Sequence, residues 1–282
     1  MHWFYELQEQ MTVEELLREE WGLGKKIVHE LRMAKGVTHD EAPVADWKAT
    51  LPKGTVLRFD WPDSDSPYTA DADTAITVLF EDEHFLIARK PKGMNTHPNE
   101  PGETGTFINA VIGYLVENGH SYGEHIHRLD QGTSGLVIVA KHPAAKNIAD
   151  RMLEKKLISR NYEAIVNGSV RPAEGVIDEP IGNDRHHATR RRVSPNGQAA
   201  VTHYRTIRKE NNGNTRLHLT LETGRTHQIR VHLAHIGNPI VGDELYGAEP
   251  EMDGTYALHA YRVSFVHPFT HAKVVVEDPI QL

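Results

Sequence analysis

The stretch His127-Arg128-Leu129-Asp130-Gln131-Gly132-Thr133-Ser134-Gly135 leads directly into the apolar run Gly135 to Lys141, GLVIVAK. The run is short, β-branched and without polar alternation, which reads as a strand covered on both faces. The polar residues before it then form a loop at the end of a rigid strand, a favoured place for catalytic groups. An arbitrary Asp or Ser in a loop more often caps a turn. A carboxylate beside an arginine in such a loop can also act as a nucleophile at a sugar or an electron-poor ring.

Working outward, strands are expected at Ile76 to Phe80, His84 to Arg89, Ser159 to Val166, Ala199 to Ile207, Arg216 to Leu221, Ala257 to Phe265 and Lys273 to Val276. Helices are expected at Thr106 to Glu117, from Pro143 to about Lys156, and at Thr226 to His235. Pro143 suits a first helical position. No regular βαβ alternation appears, which excludes a doubly wound parallel sheet.

Residues 1–70 read as a separate small module, and 71–282 as the main domain. The module has helical patterns at Val13 to Glu20 and Lys25 to Met33, the second ending at Gly36, then a strand at Thr55 to Phe59. Trp61 to Pro67 reads as a linker.

Composition bounds the function. The chain has 282 residues, 39% hydrophobic and 25% charged, ordinary globular values. It has no cysteine, which excludes disulfides, thiolate nucleophiles and cysteine-ligated zinc, and fits a reducing cytosol. The N-terminus has no secretory pattern and no apolar stretch reaches about 20 residues, so neither export nor membrane insertion is expected. The net charge of −8 disfavours nucleic acid, yet basic residues gather at Lys141 to Arg160 and Arg185 to Lys209. A phosphate backbone responds to a local basic face.

Two further segments carry candidate chemistry. In Gly224-Arg225-Thr226-His227-Gln228-Ile229-Arg230-Val231-His232, the glycine permits a tight turn and Thr226 could cap the helix that follows. Arg225 would then sit at a positive helix end, able to pair with a carboxylate or a phosphate, while Arg230 could equally be a basic helix face. In Arg160-Asn161-Tyr162-Glu163-Ala164-Ile165-Val166, alternation puts Tyr162 on one face with Ala164 and Val166. A tyrosine there is core, or a platform for a base that still offers a hydroxyl. The 19 histidines raise a metal enzyme, but the His125/His127 and His232/His235 pairs lack a third ligand at a recognisable spacing and HExxH is absent.

HRLDxxTSGL, then RxYxA, then GRTHQIRVH, in that order, resembles the RluA/RluD family of pseudouridine synthases. The resemblance runs from about Ile76 onward and includes Arg89 to Met94, Pro180-Ile181-Gly182, Pro239 to Gly247 and Leu258-His259-Ala260. It implies an α+β fold: a mixed, largely antiparallel central sheet with flanking helices and a catalytic cleft. It implies a cytoplasmic, monomeric isomerase that turns uridine into pseudouridine in ribosomal or transfer RNA, without cofactor or metal.

By the same resemblance, Asp130 is the nucleophile, at the sugar or at the uracil ring. Tyr162 stacks on the target base, Arg225 pairs with Asp130, and Arg128 fills the gap left by the flipped nucleotide. His127, Thr133 and Arg230 are expected to contact substrate. Gln131 and Gly132 replace a charged pair common in the family, and Arg160 stands where lysine is usual. The module loosely resembles the small RNA-binding domain of ribosomal protein S-four. The alternative is an inactive RNA-binding protein on the same scaffold, which the presence of Asp130, Tyr162 and Arg225 disfavours.

Overall fold

Alternation writes the first strand of the N-terminal module. In β1 (His2–Glu6), Trp3 and Tyr5 point inward while His2, Phe4 and Glu6 face out. After α1 (Lys25–Met33) come β2 (Val37–His39), β3 (Ala42–Pro43) and β4 (Val56–Asp60). The sheet order is β1-β4-β2-β3, antiparallel throughout. The computed structural model describes residues 1–251 and 254–279.

The helix expected at Val13 to Glu20 is split. A capping box between Thr12 and Glu15 starts an α-turn at Val13–Glu15, which widens into a π-helical turn over Leu16–Glu20. The wide turn closes with Trp21 N–H donating to Leu16 O at 2.9 Å, and it sends Leu16, Leu17 and Trp21 all into the core. Burying three large apolar side chains from six residues outweighs regular α-geometry here.

The main domain contains β5 (Thr77–Glu81), β6 (Phe85–Lys90), α2 (Phe107–Glu117), β7 (Glu124–His125), β8 (Ser134–Ala140), α3 (Pro143–Glu154), β9 (Ser159–Val166) and β10 (Glu174–Asp178). Then come the hairpin β11 (Ile181–Asn183) and β12 (Arg191–Val193), followed by β13 (Val201–Lys209), β14 (Thr215–Leu221), α4 (Gln228–His235), β15 (Leu258–Val266) and β16 (Lys273–Glu277). The main sheet runs β10-β13-β14-β9-β15-β8-β6-β5, with β16 on β15 and β7 on β8. Among the described strands its pairings are antiparallel except β8 against β15.

Every residue of β8 is buried because both faces are covered. Val137 and Val139 join Leu86 and Ala88 of β6 beneath Phe107, Val111 and Leu115 of α2. Leu136, Ile138 and Ala140 pack on the other side, with Ala145 and Ile148 of α3. That second core continues into the N-terminal module: Trp3, Trp21 and Phe59 share it with Phe85, Phe265 and Phe269. Trp3 stacks on His142 at 4.6 Å between ring centres.

The expected linker is therefore a seam. Trp61 is buried, Ser66 Oγ donates to Gly123 O at 2.7 Å, and Ser121 Oγ donates to Ser64 O at 2.9 Å.

The parallel junction positions the site. Ser134 pairs with His259 and Gly135 with Ala260, just after the Asp130 loop. Gly135 has φ +120°, and a Cβ there would lie 2.4 Å from Ala260 O. Only glycine lets the strands meet so closely at the mouth of the cleft.

Candidate active site

The Asp130 loop is held along its backbone. Thr96 Oγ1 donates to Leu129 O at 2.7 Å and accepts from Leu129 N–H at 3.0 Å. The ammonium of Lys90 is fully buried beneath the loop and donates to the carbonyls of Pro91, Met94 and Gln131. Burial pulls Lys90 down to about 8, against the pull of Asp130. Thr133 N–H donates to Asp130 O at 3.0 Å, and Thr133 Oγ1 lies 3.2 Å from Tyr256 Oη. Gly132 stacks where a Cβ would meet the Tyr256 ring at 2.6 Å. Asp130 is thus presented by a rigid turn into a cleft of about 610 Å³.

The partner of Asp130 is Arg230. Its Nη1 donates to Asp130 Oδ2 at 3.3 Å. Its other two nitrogens are taken by Asp243, with Nε to Oδ2 at 2.7 Å and Nη2 to Oδ1 at 2.8 Å. The Tyr246 and Tyr256 rings lie over the guanidinium at 5.0 and 4.4 Å. Burial alone would lower the Arg230 pKa; the Asp243 hydrogen bonds and the surrounding groups outweigh it and hold it above the usual range. The cation is therefore permanent and fixed.

Arg225, expected in that role, is elsewhere. It is exposed, lines the cleft, and its Nε donates to Ala199 O at 3.0 Å. The cause is the start of α4. Its N-cap is His227 in the left-handed region, φ +59°, not Thr226. Gln228 Oε1 accepts from Thr223 Oγ1 and from Arg225 N–H, and its Nε2 donates to Val201 O. Residues 223–227 are thereby a loop tied to β13, and the helix begins late enough that Arg230 faces Asp130. Sequence reasoning also missed His227, whose Nε2 lies 3.9 Å from Asp130 Oδ2 and whose Nδ1 lies 2.9 Å from Tyr246 Oη. Asp243 and Tyr246 fall within Pro239 to Gly247, a conspicuous segment whose role emerges only in three dimensions.

Tyr162 is buried on β9 and lines the same cleft. Burial raises its pKa; Arg160 opposes this and Asp130 adds to it, so the hydroxyl is neutral at ordinary pH. Arg128 is exposed on the rim. His127 and Thr133 also line the cleft but are themselves buried. The cations Arg128, Lys156, Arg160, Arg225 and Arg230 face the carboxylates of Asp130, Asp150, Glu154 and Glu222. The basic stretch 185–209 does not line it; part of that stretch forms the β11–β12 hairpin, where Arg190 pairs with Asp184 at 2.7 Å.

His232 is a core residue, Nδ1 2.9 Å from Thr202 Oγ1 and Nε2 2.9 Å from Glu179 O. Among the described residues no cluster of three His, Asp or Glu could hold a metal ion, and no helix is long and apolar enough to cross a membrane.

Residues 84–235, which include the Asp130 loop, Tyr162 and Arg230, match the RNA pseudouridylate synthase family. The chain belongs to the RluA/RluD family of RNA pseudouridine synthases. Residues 4–57 of this synthase match the N-terminal domain of RluD ribosomal pseudouridine synthases. The chain is 47% identical over 231 residues to the uncharacterized RNA pseudouridine synthase YhcT of Bacillus subtilis (strain 168), covering 80% of this chain and 76% of that one. It is 38% identical over 224 residues to ribosomal large subunit pseudouridine synthase D of Escherichia coli (strain K12), covering 74% of this chain and 68% of that one. The human RNA pseudouridylate synthase domain containing 1 structure shares the fold, with a TM-score of 0.60, 24% identity, and 73% of this chain and 84% of that one aligned. The synthase is an isomerase of uridine in RNA.

Proposed function

We propose that this synthase converts specific uridines of ribosomal or transfer RNA to pseudouridine by nucleophilic attack of Asp130 on a flipped-out nucleotide. The observation that carries the reading is the Asp130–Arg230–Asp243 arrangement. A permanent, doubly anchored cation holds the cleft carboxylate aimed into the cleft. In the reaction the C1′–N1 bond of uridine breaks, the uracil rotates, and a C1′–C5 bond forms. The C5 proton leaves and N1 gains one, so no redox partner or external energy is required.

Tyr162 supports the base as a buried aromatic face, and Arg128 on the rim stands in the stack for the missing base. A base cannot turn over inside a stacked helix, so flipping follows from the chemistry. Relatives named as large-subunit enzymes favour ribosomal RNA as the substrate. Asp130, Tyr162 and Arg230 line one cleft of a single chain, and the proposed enzyme acts as a cytoplasmic monomer. The residues 1–70 module would add RNA contacts. Mapping pseudouridines in total RNA with and without the protein tests the proposal: at least one site should disappear on deletion and return with the wild-type chain. An unchanged map would contradict it.

A further inference from the structure

Arg160 is a buried cation without an anion. It lies on β9 two residues before Tyr162, on the same face, and is 8% exposed. Its side chain makes no hydrogen bond or ion pair with any described residue, and Nε is buried without a partner. Among the described residues the other buried cations have partners: Arg216 has Glu163 and Glu210, Arg230 has Asp243 and Asp130, Lys141 has Glu81, and Lys90, though without an anion, donates to three backbone carbonyls. An unmatched buried charge is costly, so its retention in a cleft wall needs a reason. The loop opposite leaves room for it. A Cβ on Gly224 would stand 3.0 Å from Arg160 Nη1 and 3.4 Å from Nη2.

A second unmatched donor sits nearby. His127 Nε2 accepts from Ile138 N–H at 3.4 Å, which leaves the proton of the neutral ring on Nδ1. That Nδ1 is buried without a partner. Burial, then the charge of Arg160, holds His127 down to about 3. Both residues line the cleft.

We infer that Arg160 and His127 form a phosphate subsite for the nucleotide whose base stacks on Tyr162. Two unmatched donors, one of them charged, require an acceptor that the protein does not supply. A neutral carbonyl of the base would leave the guanidinium uncompensated, whereas a phosphate matches both its charge and its planar fork. Side chains two residues apart on one strand face stand about 7 Å apart, so a single nucleotide can place its base on Tyr162 and its phosphate on Arg160. The inference rests on the reading of Tyr162 as the base platform.

The test titrates uridine, uridine 5′-monophosphate and uridine 3′-monophosphate into the full chain, followed by NMR, for wild type, Arg160→Lys and Arg160→Met. One monophosphate should bind wild type roughly 10- to 100-fold tighter than uridine, the range of a charge-assisted hydrogen bond, and which one does so identifies the phosphate. Arg160→Met should lose the preference with uridine binding unchanged, and Arg160→Lys should keep part of it. The methionine variant should melt no lower than wild type, because it removes an uncompensated buried charge. No phosphate preference in wild type, no binding of any of the three, or a preference that survives in Arg160→Met overturns the inference. So does a methionine variant that unfolds at lower temperature while the preference stays intact. The readout is binding, so a chain that shows the Arg160-dependent preference but makes no pseudouridine refutes the catalytic proposal and not this one.

Discussion

Arg230 reaches Asp130 with a single nitrogen, Nη1 at 3.3 Å from Oδ2, because Asp243 occupies the other two. One guanidinium thus joins a buried structural anion to a cleft carboxylate. Asp130 is held by a group that cannot swing away without breaking two shorter bonds.

Replacing either cation should separate their roles. Arg230→Met leaves Asp243 buried and unmatched, which should cost about 3–5 kcal/mol of stability. It also removes the fixed cation beside Asp130, with an expected loss of roughly 10²–10³-fold in kcat. Arg225→Ala removes one exposed hydrogen bond and should change stability by less than about 1 kcal/mol. Its effect should fall on KM. Urea denaturation and steady-state kinetics on both variants check this; equal effects would contradict it.

Read locally, the sequence points to Arg225 as the partner of Asp130. Both arginines lie in one basic segment, and a helix starting after Thr226 would have put Arg225 at its positive end. The left-handed backbone of His227 and the four hydrogen bonds of Gln228 delay that start. Neither feature has a local signature, since each depends on β13 lying beside the loop. By contrast, α1 and β9 occupy the expected residues, Lys25–Met33 and Ser159–Val166, because their periodicity and flanking turns are local. The short strands β2, β10, β11 and β12 were not legible: each has three to five residues, and their pairing is set by distant partners. The cage of Asp243, Tyr246 and Tyr256 around Arg230 is likewise a product of topology.

Tyr162 should tolerate loss of its hydroxyl better than loss of its ring. Tyr162→Phe removes only the hydroxyl and keeps the buried ring, so it should stay within about 1 kcal/mol of wild type. Tyr162→Ala should cost about 3–5 kcal/mol as a large cavity in the core shared with Val137, Val139 and α2. If the hydroxyl handles the C5 proton, Tyr162→Phe lowers kcat with KM little changed. Thermal melts and kinetics distinguish the two, and an unaltered kcat would restrict Tyr162 to stacking.

Acid should weaken the fold well before the carboxylates titrate. Burial holds His84 down to about 4, against Asp82, and holds His125 to about 4 and His127 to about 3. His142 is likewise depressed by burial, with His84 Nδ1 2.9 Å from its Nε2. Below about pH 6.5 the unfolded chain binds protons that the folded chain refuses. The contribution is therefore complete above pH 6.5 and is lost as pH falls toward 4, by up to about 1.4 kcal/mol per pH unit for each group. His84 and His142 sit against Trp3, so the N-terminal module should loosen in the same range. Urea midpoints at pH 7.5, 5.5 and 4.5 should fall in that order. A midpoint independent of pH would contradict this picture.

The proposed nucleophile is the Asp130 carboxylate. Asparagine is nearly isosteric and keeps a hydrogen-bond acceptor for Arg230, so Asp130→Asn should fold as wild type and still bind RNA, yet it cannot act as the nucleophile. Tritium release from RNA labelled at carbon 5 of uracil measures the reaction directly. Wild type should release tritium from its mapped uridine and Asp130→Asn should release none above background. Release by Asp130→Asn at near the wild-type rate would contradict the account.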